Sequence, residues 1–85
     1  MSQDKSAPPL PVPLCSHVAS VIDTYFRNLD GYEVTDLYRL VISEVERPLL
    51  ERVLHYAGGN QTRAAEMLGI NRTTLRKKLR QHRID

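Results

Sequence analysis

Asn60, Gly69 and Asn71 constrain this chain more tightly than any other residues in it. They punctuate the stretch "NQTRAAEMLGINRTTLRKKLRQHR", residues 60 to 83. An Asn side chain accepts hydrogen bonds from first-turn amides and so starts a helix, whereas Gly adopts the positive φ that ends one. The spacing predicts a short helix over about 61–68, a turn at Gly69 and a second helix over about 72–81. Ala64, Ala65 and Leu68 then form the inner face of the first helix. Ile70, Leu75 and Leu79 supply the rest of a small core. Ala65 is small where two helices must cross closely, and Gly69 follows four residues on, where the chain turns. This is the pattern of a helix-turn-helix.

That frame places the basic residues. With Leu75 and Leu79 inward and about 100° per residue, Thr73, Arg76, Lys77 and Arg80 point outward, and Arg72 stands one turn before Arg76. Such a face suits a helix lying in the major groove of DNA. Arginine can fork onto guanine O6 and N7, lysine can neutralise phosphates, and the hydroxyls of Thr62, Thr73 and Thr74 can donate to phosphate oxygens. The unpaired amides near Asn60 and Asn71 add sites favourable to phosphate.

The charge balance supports a polyanionic partner. From Asn60 onward seven basic residues stand against Glu66 and Asp85, a balance of +5, while the first 59 residues carry five basic and eight acidic, a balance of −3. The net value of +2 hides this asymmetry.

Upstream, "MSQDKSAPPLPVP" (1–13) holds all but one of the five prolines without apolar periodicity, which describes an extended or disordered leader. From Leu14 the residues Val18, Val21, Ile22, Tyr25, Phe26 and Leu29 recur at helical steps, and Gly31 offers a stop. A second series, Leu37, Leu40, Val41, Val45, Leu49, Val53 and Tyr56, begins after Thr35 and Asp36, either of which can cap it, and ends at Gly58-Gly59. Pro48 interrupts it, but the apolar phase carries across, so one kinked helix is expected rather than two. Ile42, Leu50 and Leu54 widen its apolar face beyond what one neighbouring helix covers. A second chain would cover it; shielding by the first helix and the C-terminal pair is the alternative.

With 85 residues the chain has room for one small domain, and 41% hydrophobic with 26% charged residues is the composition of a folded one. No apolar run approaches the roughly 20 residues that cross a bilayer, and no signal-peptide pattern opens the chain, so no membrane partner and a cytoplasmic location are expected. Cys15 is the single cysteine, which leaves no intrachain disulfide. His17, His55 and His82 lack metal-ligand spacing, and no phosphate loop, nucleotide fingerprint or nucleophile elbow is found. No enzyme activity, metal, cofactor or small-molecule substrate is expected.

The segments "DLYRLVISEVERPLLERVL" and "GNQTRAAEMLGINRTTLRKKL" closely resemble the Fis (factor for inversion stimulation) family of bacterial nucleoid-associated, DNA-bending proteins, over about residues 14–82. The resemblance implies an all-α fold of four helices, an intertwined homodimer with a C-terminal helix-turn-helix. It divides the chain into a leader (1–13), a two-helix dimerisation region (14–57) and a DNA-binding region (58–85). By matching position, Asn71, Arg72 and Arg76 are expected at base edges. Asn60, Thr62, Arg63, Thr74 and Lys77 are expected on the DNA backbone, with Lys78 and Arg80 on flanking phosphates. Leu37, Val41, Ile42, Val45, Leu49, Leu50, Val53 and Leu54 are expected in the dimer interface. The family implies that the paired recognition helices bend double-stranded DNA, with loose specificity set by deformability, and act in nucleoid organisation and global transcription regulation.

Two departures qualify the resemblance. The leader is too short and proline-rich for the β-hairpin arm by which enteric members contact invertases, so recombinase stimulation is not expected. Gly58 stands where enteric members carry a basic residue, which removes one flanking DNA contact and part of the surface used toward RNA polymerase, a further partner the family implies. The same helix-turn-helix closes the NtrC-type activators, the second reading of this sequence; the start at Met1 and the lack of an ATPase segment favour a free-standing protein. A helical adaptor binding an acidic protein is a third.

Overall fold

The computed structural model describes residues 7–11 and 13–85, which form four helices and no strand. The chain divides into two compact units, Met1–Val34 and Thr35–Asp85. Most of the expectation of an extended leader falls on residues 1–6 and 12, outside the described residues; residues 7–11 and 13 carry neither helix nor strand.

In the first unit, α1 spans Leu14–Arg27 and has no buried residue. Val18, Ile22, Tyr25 and Leu29, spaced four, three and four apart, are half-buried, whereas Leu14, Val21 and Phe26 are exposed. The helix stops before Gly31. Its last carbonyls are met at Asn28, whose amide donates to Thr24 and Tyr25, and Gly31, at φ 89°, lies in the turn beyond.

The second unit begins with α2, Leu37–Tyr56, a single helix that runs through Pro48 as the apolar phase requires. Its 20 residues extend about 30 Å. Proline withholds the donor that the Glu44 carbonyl would use, but both residues are exposed, so that carbonyl can be hydrated. The expected side-chain cap is not made. Asp36 occupies the N-cap position in left-handed conformation, φ 55°, and its carboxylate turns instead to the Arg39 guanidinium at 2.8 Å.

Gly58 and Gly59 end α2 as their positive φ requires: the Gly59 amide donates back to Leu54 and the Gly58 amide to His55. This doubled closure satisfies carbonyls the helix leaves open and redirects the chain into α3, Gln61–Leu68. Gly69 (φ 76°) and Ile70 repeat the closure on Glu66 and Ala65, and α4 follows over Arg72–Gln81. Arg83 performs the same turn after α4 as a non-glycine residue, at φ 57°, with Ile84 donating back to Leu79.

One core joins α2, α3 and α4: Leu50, Leu54, Ala57, Ala64, Ala65, Leu75 and Leu79, flanked by Val53, Leu68, Ile70 and Ile84. Leu50 (2% exposed) and Leu54 (8%) are therefore covered by their own chain's helix-turn-helix. The C-terminal helices thus shield these two within one chain, and Val53 is half-buried against the same core. Leu40, Ile42, Val45 and Leu49 stay exposed, while Leu37 and Val41 are half-buried.

Candidate nucleic-acid interface

Two asparagines orient the pair of short helices. Asn60 Oδ1 accepts from the Arg63 amide at 3.1 Å, and Asn71 Oδ1 from the Thr73 amide at 2.6 Å. Each cap takes one of the free first-turn amides and leaves others directed outward, where an anion is favoured by the helix dipole as well. Leu75 and Leu79 turn one side of α4 into the core. The opposite side follows from 3.6-residue geometry, and Arg72, Thr73, Thr74, Arg76, Lys77 and Arg80 are all exposed.

Asn60, Thr62, Arg63 and Asn71 are exposed too, at or near the starts of the two helices. The residues expected to meet DNA thus lie on the starts of α3 and α4 and along the outer side of α4. Among the described residues, Arg63, Arg72, Arg76, Lys77 and Arg80 form no ion pair within the chain. Cations kept free in this way are available to an external polyanion.

Lys78 is the exception. Its Nζ sits 2.6 Å from Glu46 Oε2 on α2, while His82 Nε2 donates to Glu46 Oε1 at 2.9 Å. Hydrogen bonds from Lys78 first, and from His82 second, hold the Glu46 carboxyl below the usual carboxylate range, against a smaller opposing effect of burial. The Arg47 guanidinium donates to the His82 carbonyl and also reaches Glu51 Oε2 at 3.2 Å.

Sequence reasoning missed Glu46, Arg47 and the packing role of His82. The Arg47–Glu51 pair shows the i, i+4 spacing of helical neighbours and was open to local detection. Glu46 is 32 residues from Lys78 and 36 from His82 in the chain, and no local pattern connects them.

No group of three or more potential metal-ligating side chains occurs among the described residues, and none of the helices is long and apolar enough to cross a membrane. The class that the fold and site define is a helix-turn-helix protein with a basic, outward-facing second helix. The family model described as "Bacterial regulatory protein, Fis family" matches residues 41–82. The chain is 56% identical over 70 residues to "DNA-binding protein Fis" of Glaesserella parasuis, covering 82% of this chain and 71% of that protein. It is 57% identical over 70 residues to the protein of the same name from Actinobacillus succinogenes, with the same coverage. The Buchnera aphidicola protein of that name is 51% identical over 81 residues, covering 95% of this chain and 80% of its own. The chain belongs to the Fis family.

Proposed function

We propose that this protein binds and bends double-stranded DNA as a homodimer, with loose sequence preference, in nucleoid organisation and transcription regulation. The observation that carries the reading is the uncommitted basic face of α4, held by Leu75 and Leu79 on a closed core. The names of the relatives, DNA-binding protein Fis, support it independently.

Asn71, Arg72 and Arg76 contact base edges at the entrance of the major groove. Asn60, Thr62, Arg63, Thr73, Thr74, Lys77 and Arg80 hold the backbone on either side. Lys78 is left out of this set because Glu46 already occupies its ammonium. The exposed Leu40, Ile42, Val45 and Leu49 of α2, with half-buried Leu37 and Val41, serve the contact between two copies. Two recognition helices tied through such a contact meet the duplex at a fixed separation, and the DNA bends to reach both. RNA polymerase is a further partner at promoters; recombinase stimulation is not part of the reading.

Retention on a duplex of random sequence, measured across salt concentrations, tests the proposal. Affinity should fall linearly with log salt as phosphate contacts release counterions. Retention that is absent, or insensitive to salt, contradicts it.

A further inference from the structure

Glu46 and Arg47 lie side by side on α2, immediately before Pro48, and together they grip the last turn of α4. One Glu46 oxygen takes the Lys78 ammonium at 2.6 Å and the other takes the His82 ring at 2.9 Å. Arg47 holds the His82 carbonyl, at the negative end of the α4 dipole. The Glu46 and His82 side chains are only 18% and 9% exposed, whereas the Arg39–Asp36 pair elsewhere on α2 is 80% and 70% exposed. A pair so withdrawn from water is screened less, and a carboxylate using both oxygens fixes direction as well as distance. The leucines between α2 and α4 attract without direction. They close the core together with α3, and the polar fork adds directional contacts from α2 to the end of α4.

We propose that Glu46 is a positioning residue that sets the pose of the recognition helix on α2, and that Lys78 serves this clamp and not a DNA phosphate. Its consequence for DNA rests on the function proposed above. If α2 also joins two copies, the angle fixed by Glu46 sets the separation of the two recognition helices and hence the bend required of the duplex.

Two measurements on the full chain test the inference, and the first needs no DNA. In thermal unfolding at one protein concentration, E46Q and K78M should each lower Tm by about 4–8 °C. The double variant should lose little more than the larger single loss, because both remove one interaction. Additive losses would overturn the clamp.

The second measurement follows binding to a random 30-bp duplex across salt, with end-labelled DNA reporting the bend by energy transfer. K77M should flatten the salt slope by about 0.9 for each phosphate it no longer neutralises. K78M should weaken binding through a misplaced helix while keeping the wild-type slope, and E46Q should shift the energy transfer at saturation. A K78M slope reduced as far as that of K77M would return Lys78 to the DNA backbone and overturn its assignment. Unchanged energy transfer in E46Q would overturn the positioning role. Failure of wild-type protein to bind duplex would sink the proposed function alone, since the unfolding cycle reads the clamp without DNA.

Discussion

The Thr35–Asp85 unit and the α1 helix solve the same problem in opposite ways. α2, α3 and α4 enclose seven buried apolar residues between them, whereas α1 buries none of its own despite an amphipathic pattern. The contrast continues along α2 itself: its second half turns Leu50 and Leu54 into the core, and Leu40, Ile42, Val45 and Leu49 remain outside. The unit closes on itself because α3 and α4 fold back on the end of α2 and surround a few leucines and alanines. The exposed face of α2 has no such cover within its own unit, and the proposed contact between two copies would supply it.

The largest effect that could break this comparison lies in the closed core. Leu75→Ala, at a position 1% exposed, should cost about 2–5 kcal/mol of stability at every protein concentration. Ile42→Asp should behave differently, lowering Tm most in dilute solution, because a surface between copies contributes by mass action. Circular dichroism melts of both variants at two concentrations would separate the regions. Identical concentration dependence would erase the distinction.

At the DNA face the expected effects are smaller. Arg72→Ala should cost about 1–3 kcal/mol on a preferred site and much less on random duplex, as a base contact requires. Equal losses on both would show Arg72 on the backbone. Gly69→Ala sharpens the account of the turn. A methyl there meets nothing within 4 Å, so a loss of about 1–2 kcal/mol would come from the φ of 76° alone. A neutral substitution, measured by thermal unfolding, would mean that the turn relaxes without cost.

The smallest effect is in pH. The folded chain depresses the Glu46 pKa, so this carboxylate contributes stability that is fully present above the unfolded value and is lost as pH falls through the folded one. Wild-type protein should therefore lose more stability than E46Q between neutral pH and pH 3. Parallel acid profiles would contradict the cause assigned to that shift.

The C-terminal helices were legible in the sequence to the residue, because Asn60, Asn71 and Gly69 each act on the adjacent turn. α2 was legible as one helix despite Pro48, since apolar phase survives a missing hydrogen bond. Its cap was not, because Asp36 has Arg39 three residues away and takes that partner in place of the amides. Leu50 and Leu54 announced burial without announcing what buries them; periodicity defines a face, and the covering element comes from chain direction after Gly58-Gly59. Of the face on α4, the outward cations were readable from helical geometry, while the ion pair of Lys78 depends on Glu46 in another helix.

Light scattering of the protein mixed with a 30-bp duplex tests the central claim, that one region joins copies and the other meets DNA. At saturation the account predicts two chains on one duplex, with two-chain particles also in the free protein at micromolar concentration. A saturated complex of one chain per duplex, formed from a folded monomer, would contradict it.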